Sequence, residues 1–356
     1  MDEQLLSIEA AFGDLEDPRR RTPAYDLTEM LVVALCAILS GAESWLAIQT
    51  WGDEKLEWLR EYIELPQGIP SHDTFGRVFA ALNPKQFEAC FIRWMSPLFP
   101  ALTGQVVAID GKTVRRSIRR DQRAIHLVSA YGAGLGMVLG QVRTAEKSNE
   151  ITAIPELLDA LMLKGAVVTI DAMGCQRSIA RQIIDAGADY VLAAKANHIK
   201  AYTRIVELHE AVKRLPEVER RRVAFEHHDV DKGHGRIETR HCTTIDWLAL
   251  NEIAPWPSAC SVAIVDSCRE IGQSTSRQRR YFFTSLPAND PARIAQAIRA
   301  HWAIESMHWT LDVSFGEDQC RARVKNAAQN FAILRRIALN LLKQDKTTKV
   351  GLKLRR

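Results

Sequence analysis

The chain has 356 residues, of which 47% are hydrophobic and 25% charged, and a formal net charge of +4. This composition excludes a disordered chain and gives room for two or three globular domains. No apolar run approaches the roughly 18 residues of a membrane span, and the acidic start MDEQLLSIEA is unlike the basic head of a signal peptide, so a cytoplasmic protein is expected. Seven scattered cysteines with no C-x-x-C pair predict reduced thiols and argue against a zinc site.

Residues 1 to about 100 read as a helical domain. Asp26 is a candidate N-cap for a buried helix ending at Gly41. Ser44 to Leu65 predicts a second helix, whose Trp45, Trp51 and Trp58 are spaced as a core stripe rather than a base-stacking platform. Two short helices follow, at His72 to Leu82 and Lys85 to Trp94. Pro97 and Pro100 close the region, with a domain boundary over Leu98 to Gln105.

QVVAIDGKTVRRS, residues 105 to 117, predicts a strand buried on both faces that ends at Asp110 and meets a turn at Gly111. A carboxylate at the end of a buried strand is held rigidly enough for metal binding or acid–base chemistry. Lys112, Arg115, Arg116, Arg119, Arg120 and Arg123 follow, opposed only by Asp121, and this excess of positive charge implies a polyanion. Gly111-Lys112-Thr113 is not a phosphate-binding loop, because the required earlier glycine is replaced by Val106.

Ile125 to Tyr131 and Met137 to Arg143 form a predicted hairpin across a glycine-rich turn. A helix over Asn149 to Leu163, a strand over Ala166 to Ile170 ending in Asp171, a helix over Cys175 to Ala186 and a strand over Tyr190 to Ala194 complete the run. The last strand leads into Lys195 and Asn197. Three strands in a meander followed by helix-linked strands is the ribonuclease-H-like plan, a mixed α/β sheet flanked by helices, in which the first and fourth strands are neighbours. Asp110 and Asp171 then meet, and two like charges so placed call for a divalent cation between them.

Residues 196 to 289 read as a mostly β insertion. It holds the glycine-rich, polar stretch Asp231 to Arg240, with His234 and Arg236 able to touch phosphate or base. Asp290-Pro291 starts a long helix, on which His301, Glu305, His308 and Asp312 fall on one face. Glu305 is the candidate third carboxylate; a di-iron site would need two Glu-x-x-His pairs from different helices of a bundle, and Glu305-x-x-His308 is the only such pair on a predicted helix. Asn326 to Lys343 predicts an amphipathic helix, and the last segment, 346 to 356, is a basic tail, either solvated or contacting nucleic acid.

The chain resembles the DDE transposases of bacterial insertion sequences, in the group of H-repeat-associated proteins. The matching stretches include DPRR, GAESW, GIPSHDTFGRVF, AIDGKTVRRS, EKSNEI, TIDAMGCQ, ADYVLAAKANH, GHGRIETR and HWAIESMHWTLDVSFGEDQCRAR. The resemblance implies a catalytic domain over 101 to 345, with Asp110, Asp171 and Glu305 as catalytic metal ligands. It implies two Mg2+ ions, with Mn2+ as a substitute, acting about 3.5–4 Å apart. It also implies terminal inverted repeats and target DNA as partners, a homodimer in the synaptic complex, and a place at the nucleoid. The superfamily pattern of Tyr, Arg and Lys around the glutamate is replaced here by Ile298, His301 and Asp312. Lys112, Arg115, Arg116, Lys195, Asn197, His234, Arg236, Arg299 and His301 are the candidate DNA contacts. The alternatives are a catalytically silent DNA-binding remnant or repressor, and a nuclease of the same fold without strand transfer.

Overall fold

A computed structural model of the chain describes residues 7–20, 22–118, 123–145, 150–195, 199–233, 235–246 and 256–356. The first hundred residues are helical: α1 (Ile8–Phe12), α2 (Leu27–Leu39), α3 (Trp45–Glu54), α4 (Leu56–Leu59), α5 (His72–Ala81) and α6 (Pro84–Met95). Asp26 caps α2 as expected, its carboxylate accepting from Glu29 N–H at 2.9 Å. The single helix expected over Ser44 to Leu65 is instead two, interrupted at Lys55. Trp45 is half-buried, stacked on Phe79 at 5.1 Å and edge-on to Phe331 at 4.6 Å, but Trp58 is exposed, so the three tryptophans do not form the expected core stripe.

Next come β1 (Val106–Thr113), β2 (His126–Gly132), β3 (Met137–Arg143), α7 (Glu150–Ala160), β4 (Val167–Ile170), α8 (Arg177–Asp185) and β5 (Asp189–Ala194). Two helices follow, α9 (Ile199–Arg214) and α10 (Glu217–Val223), then four long strands: β6 (Ala224–Gly233), β7 (Arg236–Asp246), β8 (Ser261–Ile271) and β9 (Ser274–Thr284). The chain closes with α11 (Pro291–Ala300), α12 (Trp302–Phe315), α13 (Ala327–Gln344) and α14 (Leu352–Arg355).

The hydrogen-bonded strand order is β3-β2-β1-β4-β5-β9-β8-β7-β6. β1, β4 and β5 are parallel, while β2–β3 and the β5-to-β6 run pair antiparallel. The first five strands thus take the ribonuclease-H-like order, and the expected β insertion continues the same sheet as a regular antiparallel extension. Its strands carry polar side chains along much of their length, so their alternation is weak in sequence.

Two compact units make up the chain. The first consists of Met1–Ala101, Gly111–Met162 and Ala303–Arg356, the second of Leu102–Asp110 and Leu163–Trp302. In the first, α13 packs against α2, α5, α6 and β3 and is buried over nearly its whole length, not on one face as its sequence suggests. Its polar residues are bonded internally: Asn340 brackets the backbone of Val138, and Asn330 donates to Phe79 and Leu82 carbonyls. In the second unit, Val167, Val191, Val265 and Phe282 of the sheet form a core with Ile294, Ala297 and Ile298 of α11. Asp290 caps that helix, accepting from Arg293 N–H at 3.1 Å.

Candidate active site

Unit two carries the two aspartates. Val106 to Ile109 pair in register with Val167 to Ile170, so Asp110 and Asp171 are the next residues along adjacent parallel strands. β1 does not end at Asp110 as expected but continues to Thr113. The turn predicted at Gly111 is absent; the glycine serves a close approach instead. A Cβ there would fall on the Glu150 carboxylate and the His126 ring. His126 is held at 2.7 Å by Glu150 and at 2.8 Å by the Thr113 hydroxyl. Their separation in sequence hid this pairing, although Glu150 belongs to the EKSNEI stretch.

Asp171 Oδ1 accepts from Met173 N–H at 2.8 Å, which fixes the carboxylate as the chain leaves the sheet. Two residues back on β4, Thr169 shares a hydrogen bond of 2.9 Å with His301 Nδ1. Burial pulls the His301 pKa down against the attraction of Asp171, so the imidazole is neutral at neutral pH. The long helix expected through Glu305 is interrupted here, between α11 and α12. His301 therefore belongs with Thr169, and only Glu305, His308 and Asp312 share the α12 face. Arg299 is ion-paired with Asp231 at 3.3 Å. Lys195 is exposed just beyond β5, and Arg236 opens β7 beside the β6–β7 turn. Asn197 and His234 lie outside the described residues, as do Arg119, Arg120 and Asp121.

In unit one, Glu305 sits exposed in the first turn of α12, and Trp309 is also exposed. His308, one turn on, is buried; burial together with Arg336 and Lys112 brings its pKa down to about 3. Lys112, expected to touch phosphate, points inward. It is 9% exposed, and its ammonium is bonded to Asp312, lies 2.9 Å from Glu317 and 3.6 Å from Asp318. Glu317 is fully buried; burial pushes its pKa up, but Arg336 at 2.7 Å and Lys112 outweigh that and bring it down to about 2. Asp312 and Glu317 are thus committed to cations of the protein itself. Arg115 and Arg116 lie on a 3-10 turn with exposed side chains, Arg115 also touching Asp318 at 3.3 Å.

Adjacent parallel strands whose register makes Asp110 and Asp171 the next residues along, in a sheet of order 3-2-1-4-5, are the arrangement expected of the class of DDE nucleic-acid enzymes. The family model for the transposase DDE domain matches residues 102–341, and that for the associated N-terminal region matches residues 9–95. The chain belongs to the DDE transposase family. It is 39% identical over 339 residues to the "H repeat-associated putative transposase YhhI" of Escherichia coli K12, covering 92% of this chain and 88% of the relative. It is 40% identical over 352 residues to "Putative transposase YncI" of Escherichia coli O157:H7, covering 93% and 86%. A piggyBac transposase synaptic complex with hairpin DNA aligns with 99% of this chain and 75% of its own at 9% identity, with a TM-score of 0.38.

Proposed function

We propose that this protein is an active transposase that cleaves DNA at the ends of its insertion sequence and joins the freed 3′-hydroxyl to target DNA. The observation that carries the reading is the register of β1 and β4, which brings Asp110 and Asp171 out side by side in a chain of the DDE family. Glu305 is the third acid, since its neighbours Asp312 and Glu317 are consumed by Lys112.

The DDE domain implies use of a divalent metal, and the donors fit Mg2+: Asp110, Asp171 and Glu305 offer only hard carboxylate oxygens. When bound, two such ions activate the attacking water or 3′-hydroxyl and stabilise the leaving oxygen. The protein's own groups orient and clamp. The Met173 amide fixes Asp171, while neutral His301 presents no positive charge to compete with a metal for that carboxylate. Exposed Arg115, Arg116 and Lys195 are the phosphate contacts we retain. Lys112 is withdrawn from that role by its three carboxylates, and Arg299 is shared with Asp231. We further propose a homodimer in the DNA-bound complex, with Met1 to about residue 100 as a DNA-binding domain, in the cytoplasm at the nucleoid.

The test is incubation of the purified chain with DNA carrying the inverted repeats that flank its gene, resolved on a denaturing gel. Nicks at the repeat ends that need Mg2+ and yield joined products support the reading. Binding without any cleavage identifies a silent DNA-binding remnant, and cleavage without joining identifies a nuclease.

A further inference from the structure

Away from the acids, the hairpin of β6 and β7 gathers three ligand-type side chains on one face. Glu226 and His228 are two apart on β6, so they point to the same side, and His241 on β7 is the direct cross-strand partner of His228. The two imidazoles are stacked with centroids 4.0 Å apart and planes 11° from parallel. Glu226 Oε2 lies 3.4 Å from His241 Nε2 and 4.0 Å from His228 Nε2. One ligand atom from each of the three residues falls within 4.8 Å of the others. The His241 Nε2 atom is buried and makes no hydrogen bond among the described residues.

From this geometry we propose that Glu226, His228 and His241 form a binding site for a transition-metal dication of the Zn2+, Co2+ or Ni2+ class, separate from the catalytic acids. Ligands at about 2.0–2.1 Å around a tetrahedral ion sit about 3.3–3.5 Å from one another. Two of the observed spacings, 3.4 and 4.0 Å, are near that, and the stacked rings must tilt toward each other to aim both in-plane nitrogen lone pairs at one ion. Imidazole nitrogen selects these ions over Mg2+, which prefers all-oxygen ligands. The set has three protein donors and an open fourth position on the solvent side, since Glu226 and His228 are exposed. The absence of a C-x-x-C pair argued against a zinc site, but that pattern speaks only to thiolate ligands.

The surroundings favour metal over a simple ion pair. Asp266, the β8 partner of His241 in the same row, is held bidentately by Arg279 at 2.6 and 2.9 Å. It is therefore not the acceptor for His241 that a plain charge ladder would use. The site's consequence is mechanical. Among the described residues β6 is the last strand of the sheet and has one hydrogen-bonded neighbour, and an ion shared by His228 and His241 clamps it to β7. The clamped strand also carries Asp231, which holds Arg299 of α11 at 3.3 Å.

The test uses the full chain without a histidine tag, stripped of metal and dialysed against Co2+ or Zn2+ in excess Mg2+. The proposal expects one ion retained per chain, a tetrahedral cobalt spectrum, and a melting temperature raised by the ion. His228→Ala and His241→Ala should each weaken binding by more than about a hundredfold, beyond what loss of an outer-shell partner does, with unchanged metal-free circular dichroism. Glu226→Gln should weaken it less, and Asp110→Asn should leave it unaltered. Failure of the parent chain to retain an ion, or retention that survives both histidine substitutions, overturns the proposal.

Discussion

Lys112 shows how a residue's role depends on partners that sequence proximity does not reveal. It stands in a basic run beside Asp110, yet its ammonium is enclosed by carboxylates from around residue 315, two hundred positions away. Glu317 lies between Lys112 and the fully buried Arg336. Removing one member of a buried charge group strands the others in a low-dielectric interior. Glu317→Ala should therefore cost about 3–5 kcal/mol in urea unfolding, while Glu317→Asp, keeping the charge, should cost clearly less. Glu88 behaves oppositely. Burial, against a 2.8 Å hydrogen bond from Gln329, pushes its pKa up from 4.5 to about 7. A carboxyl whose folded pKa is raised contributes stability that is fully present below its unfolded pKa of 4.5 and is lost as pH rises through about 7. Glu88→Gln should then flatten the loss of stability between those pH values, an effect of at most about 3 kcal/mol, read from melting temperature against pH. An unchanged pH profile would show that Glu88 is not the group responsible.

Element by element, the capping and periodicity signals worked where the causes are local. Asp26, Ser44 and Asp290 cap helices as their positions indicate, and the hairpin of β2 and β3 follows from its glycine-rich turn. Signals failed where a distant side chain decides. Gly111 reads as a turn, but the Glu150 carboxylate and His126 ring fill the space a side chain would take, and β1 runs on through it. Gly111→Ala should push these groups aside, destabilise the fold by about 1–3 kcal/mol and reduce cleavage by moving Asp110, measured by chemical denaturation and the gel assay. Wild-type stability and activity in that variant would show that the close approach is relaxed easily. The interruption between α11 and α12 was likewise hidden, because the His301 ring is captured by Thr169, 132 positions earlier. α13 looked amphipathic because its Asn and Arg residues are polar; their internal partners are what allow it to be buried.

Across the whole molecule, the strand order and the neighbourhood of Asp110 and Asp171 were legible, because a meander followed by helix-linked parallel strands leaves few ways to connect. The basic segments were legible only in part. Arg355 and Arg356 of the tail are tied to backbone carbonyls, with Arg356 also over the Phe315 ring at 4.6 Å. Truncation after Asp345 should thus lower stability as well as charge. DNA affinity should fall steeply with salt, and Arg115→Ala with Arg116→Ala should reduce the log–log slope by about 2, roughly 0.9 per phosphate contact. An unchanged slope would remove both arginines from the interface. The central claim, that Asp110, Asp171 and Glu305 together perform metal-dependent DNA cleavage, is tested most directly by pairing a binding assay with the cleavage gel. Asp110→Asn, Asp171→Asn and Glu305→Gln should each bind end DNA nearly as tightly as the parent yet give no Mg2+-dependent nick, while Asp312→Asn should change stability or binding more than cleavage. Normal cleavage by Glu305→Gln together with a dead Asp312→Asn would contradict the account.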